Sequence, residues 1–173
     1  MMWIRLTAAL ALVLGICLAH GPAEAQRRLG TFSAWSAYTA EENGKPVCYV
    51  ASSPQKSEGN YTRRGKVFAL VTLRPAEQRD DEVSFIAGYT FQKDSAVKAV
   101  IDGKSWTLFT QNGAAWLPNE PAQDKEVVQA MVKGREMVVT GISSRGNQTI
   151  DQYSLSGFTA AYKAMREACG KSG

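Results

Sequence analysis

Beyond residue 25, apolar positions recur at every second residue over short stretches separated by polar turn signals. This is the spacing of half-buried strands. Residues 31–39 carry Phe32, Trp35 and Tyr38 and read as one strand, closed by the hairpin dipeptide Asn43-Gly44. Residues 47–51 form the next run, and the polar stretch 52–60, with Pro54 and Gly59, reads as a loop. Residues 66–73 are almost continuously apolar, which predicts a central strand covered on both faces and ended by Pro75. From Glu82 the alternation resumes with Val83, Phe85, Ala87 and Tyr89 on one side. Residues 97–101 and 106–110 pair across Asp102-Gly103, and residues 114–117 follow the turn Asn112-Gly113. Two last strands, 135–142 and 148–155, flank a turn containing Gly146.

Twice the period lengthens to that of a helix. Val127, Val128, Met131 and Val132 predict a helix over 123–133, stopped by Gly134. Ser156 can cap a second helix over 157–168, with Phe158, Ala161, Tyr162, Met165 and Cys169 on one face. Many short strands with few helices predict a mainly β fold: an antiparallel β-sandwich or barrel-like sheet pair with two short helices. Residues 26–173 read as one domain of this kind.

The first 25 residues break the pattern. Residues 1–5 carry one positive charge, residues 6–19 are apolar apart from Thr7, and Ala23-Glu24-Ala25 offers small residues where a signal peptidase reads. This predicts a secretory signal cleaved after Ala25, with no transmembrane segment left afterwards. The apolar run is shorter than the ~20 residues that span a bilayer. Cys17 is not a lipidation site in this reading, because bulky Ile16 stands where a small residue is wanted.

Cleavage changes the chemistry on offer. The single His of the sequence, His20, leaves with the signal. A chain without imidazole cannot run Ser-His-Asp or Cys-His catalysis, and it lacks the usual zinc ligands. No cofactor is expected. Cys17 leaves too, so Cys48 and Cys169 remain, and two cysteines in an exported chain read as one disulfide. That bond would tie the C-terminal helix to the strand holding Cys48.

The formal charge is +4. It is spread over short clusters: Arg27-Arg28, Arg63-Arg64-Gly65-Lys66 and Lys133-Gly134-Arg135. No aromatic-rich basic stripe accompanies them, so nucleic acid is not an expected partner. An envelope protein, a polysaccharide or a host-surface molecule fits an exported chain better.

The most distinctive stretch is 138–158. It holds a short apolar strand, a Ser144-Arg145-Gly146 turn, an Asp151-Gln152-Tyr153-Ser154-Leu155 strand, and Gly157-Phe158 opening a helix that ends at Cys169. It resembles the C-terminal signature of the invasion-associated locus B family of exported alphaproteobacterial proteins. The Trp35 and Cys48 strands, residues 68–75 and Ala114-Ala115-Trp116-Leu117 are similar to the same family. The resemblance implies a periplasmic or outer-envelope location, with founding members linked to host-cell invasion. It supplies no catalytic residues.

Chemistry alone nominates two contacts within that stretch. Asp151 shares a strand face with Thr149, Tyr153 and Leu155, so an inward Asp151 needs partners. It reads as a structural carboxylate, or else as a perturbed acid in a cleft. Arg145 at a turn tip can meet an anionic ligand, or it can simply be solvated. Trp35, Trp106 and Trp116 are core residues or a sugar-binding face. Asp80, Asp81 and Glu82 read as a solvated loop rather than a calcium site. The expected function is a non-enzymatic envelope binding or accessory protein. The alternatives are a subunit of a periplasmic or membrane complex and a carboxylate-dependent enzyme. A glycosidase would need Asp151 and one of Glu82, Asp94 or Glu136 facing each other across a cleft.

Overall fold

In the computed structural model, residues 26–111, 113–118 and 121–172 are described, so the predicted signal and its cleavage at Ala25 lie outside the described residues. The chain folds as β1 (Arg27–Phe32), β2 (Trp35–Glu42), β3 (Lys45–Ser52), β4 (Lys56–Gly59), β5 (Phe68–Arg74), β6 (Arg79–Ile86), β7 (Ala96–Ile101), β8 (Lys104–Gln111) and β9 (Ala114–Trp116). Helix α1 (Pro121–Lys133), β10 (Glu136–Ile142), β11 (Gln148–Ser154) and helix α2 (Phe158–Ala168) complete it. All eleven strands belong to one antiparallel sheet, in the order β1-β2-β3-β5-β6-β9-β8-β7-β10-β11-β4. The three-residue β9 joins two halves that fold over one another. Phe85 of β6 meets Tyr153 of β11 with ring centroids 6.4 Å apart. The indole N–H of Trp35 in β2 donates to the Ser154 carbonyl at 2.9 Å.

Between the halves lies one continuous core. It includes Trp35, Val50, Val71, Phe85, Val97, Leu108, Met137 and Tyr153. Helix α2 buries Phe158, Ala161 and Met165 and packs against β1, β2 and β3. The Cys48–Cys169 disulfide, Cα atoms 6.1 Å apart, fastens its end to β3. Helix α1 packs against β6 through buried Val127, Val128 and Met131.

Local pattern and structure diverge at several places. Ser156 does not cap α2: Gly157, at φ 86°, precedes the helix with no side-chain cap, and Ser156 Oγ instead shares a 3.0 Å hydrogen bond with Ser33 Oγ. The 31–39 run is a hairpin, because Ser33 adopts φ 55° and turns β1 into β2. The 52–60 loop contains β4, whose residues are all exposed but which pairs with β11. Strand β5 is central, yet only one face is covered. Its other face, with Phe68 and Leu70, lines an open groove of about 680 Å³ shared with Tyr38, Tyr49, Ile86 and Trp116. Val132 points to solvent at 39% exposure, because the buried stripe of α1 ends at Met131.

Asp124, in the first turn of α1, accepts a hydrogen bond from the Val83 N–H at 2.9 Å. Burial raises its carboxyl to about 6, with Glu82 and Asp81 adding to the rise against the opposing Val83 bond and Arg79. A folded pKa above the unfolded one favours the protonated form in the folded state. That contribution is fully present below the unfolded pKa and is lost as pH rises through about 6. Asp124→Asn keeps an acceptor oxygen and removes the charge. It is expected to be more stable than wild type above about pH 7 and to lose that advantage below about pH 4, as read from urea midpoints at both.

Candidate functional site

The segment between β4 and β5 and the turn between β10 and β11 form opposite walls of a cleft. The first wall is fixed through backbone. Gly65 N–H donates to Gly88 O at 2.9 Å, and the chains approach so closely that a Cβ on Gly88 would stand 2.5 Å from Gly65 O. Gly88 also has φ +72°, where L residues are strained. The second wall is the turn 143–147. Gly146 N–H donates to Ser143 O at 2.8 Å, and Ser144 N–H donates to Thr90 O at 2.8 Å, tying the turn to the loop after β6.

Behind the cleft sits a buried ion pair. The Arg64 guanidinium donates through both terminal nitrogens to the two Asp151 oxygens, each at 2.7 Å. Its Nε–H donates to Ala87 O at 2.6 Å, and Ser57 Oγ donates to Asp151 Oδ1 at 2.6 Å. The two charged side chains are 5% and 6% exposed. Burial opposes the Arg64 charge, but the hydrogen bonds and negative charge of Asp151 outweigh it and hold the guanidinium above its ordinary pKa. Arg64 also lies over the rings of Tyr61 and Tyr89, at 5.5 and 5.0 Å from their centroids. Tyr89 OH and Thr149 Oγ1 share a 2.6 Å hydrogen bond. Burial raises the Tyr89 hydroxyl above its usual pKa, so it stays protonated at neutral pH.

The cleft has a volume of about 590 Å³, within the ~300–1,000 Å³ common for small-ligand sites. Arg63, Arg64 and Arg145 line it, and no acidic residue does. Arg63 and Arg145 are exposed and have no ion-pair partner among the described residues. Asn60, Thr62, Ser144 and Asn147 supply amide and hydroxyl groups beside them.

Thus Arg145 and Asp151 stand at one site in different ways. Arg145 is on the wall, while Asp151 is behind it with both oxygens bonded. Asp151 does not face a second acid. Glu82 is on β6, 2.9 Å from Arg79 and 3.6 Å from Arg74, and neither Asp94 nor Glu136 lines the cleft. The three tryptophans do not share a face: Trp35 and Trp106 are buried, and Trp116 borders the open groove. The acids at the start of β6 face cations. Asp81 lies 3.8 Å from Arg166 and accepts from Tyr162 OH at 2.5 Å, and Asp80 lies 3.2 Å from Lys171. Among the described residues no cluster of His, Cys, Asp or Glu could hold a metal ion. No helix among them is long and apolar enough to cross a membrane.

Sequence reasoning passed over Arg64, Ser57, Tyr61 and Tyr89. Arg64 was legible only as part of a basic run. The signal for it was indirect: an inward Asp151 needs hydrogen-bonding or charged partners, and Arg63-Arg64 was a nearby supply once β4 is known to pair with β11.

These features define a disulfide-clamped, two-layer antiparallel β-domain with a basic, hydroxyl-rich cleft between two loops. The chain belongs to the invasion associated locus B (IalB) protein family, whose model matches residues 35–166. It shares its fold with the crystal structure of invasion associated protein b from Bartonella henselae. That likeness has a TM-score of 0.58 at 13% identity, over 82% of this chain and 96% of the other. No curated protein matches the sequence. The disulfide is consistent with an exported protein.

Proposed function

We propose that this is an exported, non-enzymatic binding protein of the bacterial envelope, which uses the cleft to engage its partner and thereby serves contact with host cells. The carrying observation is the division of charge at the site. The Asp151 carboxylate behind the cleft is consumed by Arg64 and Ser57, while two arginines on its walls are unpaired among the described residues. A carboxylate-based acid–base mechanism needs a free carboxyl within reach of the substrate, and the lining of the cleft offers none. Recognition of an anionic partner needs donors free to meet it, and Arg63 and Arg145 supply them. The family name and its Bartonella henselae relative support the link to invasion.

The test is complementation of a strain lacking the gene, scored by entry into cultured host cells. Wild type and the remote control Arg135→Ala are expected to restore entry. Arg145→Glu, exported at equal level, is expected to fail. Undiminished entry of the gene-less strain would overturn the host-contact role, and full rescue by Arg145→Glu would overturn the cleft as the site.

A further inference from the structure

The lining of the cleft narrows the class of ligand, granted the binding reading above. It contains no aliphatic residue and is lined mainly by charged, hydroxyl and amide side chains, which suits a polar ligand better than a lipid chain or an apolar peptide. Its charge is of one sign. Arg64 is neutralised by Asp151, leaving Arg63 and Arg145 as the available cations. Around them, the side chains of Asn60, Thr62, Ser144 and Asn147 make no hydrogen bond to other described side chains, so their donors and acceptors are open to a ligand. Tyr61, 37% exposed, adds an aromatic surface held in place by Arg64 beneath it. Planar guanidinium groups suit carboxylate or sulfate, hydroxyl and amide groups suit polyol hydroxyls, and an aromatic ring suits the C–H face of a pyranose.

From this combination we infer that the cleft binds an anionic saccharide, with its acid group meeting Arg63 and Arg145 and its hydroxyls meeting the amide and hydroxyl side chains. The Arg64–Asp151 pair, neutral as a unit, is not the group that meets the sugar's acid. It is a positioning device that fixes the wall carrying Tyr61 and Arg63 against the strand leading from the Arg145 turn.

The experiment is calorimetric titration of the full protein, purified from exporting cells, with a six-unit oligogalacturonate. Parallel titrations use maltohexaose, inorganic phosphate and phosphatidylglycerol vesicles. The acidic oligosaccharide is expected to bind, and maltohexaose at least about tenfold more weakly. Arg63→Ala and Arg145→Ala should each weaken binding by about tenfold, and Arg135→Ala should leave it unchanged. Equal weakening by Arg135→Ala would show general charge attraction and overturn the site. Tighter binding to the vesicles or to phosphate alone would overturn the saccharide. If the acidic sugar does not bind while Arg145→Glu still fails in complementation, the ligand class falls and the binding reading stands. If it does not bind and Arg145→Glu rescues fully, both fall.

Discussion

Arg64→Ala is expected to cost about 3–5 kcal/mol of folding stability, the usual penalty for leaving one member of a buried ion pair alone. The geometry places it at the severe end. Arg64 satisfies both Asp151 oxygens and the Ala87 carbonyl, and solvent reaches only 5% of its side chain to replace it. Ser57 would remain the single side-chain donor to a buried carboxylate. Arg64→Lys should recover little, because an ammonium cannot make the parallel two-oxygen contact and the carbonyl bond together. Removing both charges is another matter. Arg64→Met combined with Asp151→Leu should lose much less than Arg64→Ala, since no uncompensated charge is left inside. Urea midpoints of the three variants check this, and an unchanged midpoint for Arg64→Ala would mean that water reaches the pair.

Exchange of both half-cystines, Cys48→Ser with Cys169→Ser, is expected to cost about 5 kcal/mol in the chain-entropy model for a loop closed over 121 residues. That term acts on the unfolded chain; in the folded state the change is local to α2, which loses its covalent anchor. An 11-residue helix is marginal by itself and depends on the burial of Phe158, Ala161 and Met165 against the sheet. Without its anchor, α2 should fray from the C-terminal end. Limited trypsin digestion should then cut at Lys163 and Arg166 early, whereas the oxidised wild type should resist there. Equal resistance would place the stabilisation in the helix packing instead.

What the sequence disclosed depended on whether the cause was local. Asn43-Gly44, Asp102-Gly103 and Gly146 set turns through their own backbone preferences, and each was legible. The face of α2 was legible for the same reason, because 3.6-residue spacing names its buried side chains. Ser33 turns the chain at φ 55° with no glycine, proline or asparagine to announce it, so the first hairpin looked like one strand. Strand β4 has no apolar face and exists because the edge of β11 is there to pair with. The need of Asp151 for partners was legible from its place on the strand. Their identity was not, because Arg64 is 87 residues away in sequence and reaches it only through the folded sheet. The open outer face of β5 was hidden for a related reason. A continuous apolar run does not say whether its second face meets protein or solvent.

The disulfide has a topological consequence for the cleft. Residues 60–64, 89–90 and 143–149 all lie between Cys48 and Cys169, inside the covalent ring that the bond closes. One peptide-bond cleavage anywhere in that span opens the ring but releases no fragment. Both walls remain on a single molecule, still registered by the strands on either side. Proteolytic damage that would split a linear chain into two diffusing pieces becomes a nick, and the two loops that build the site stay at each other's side.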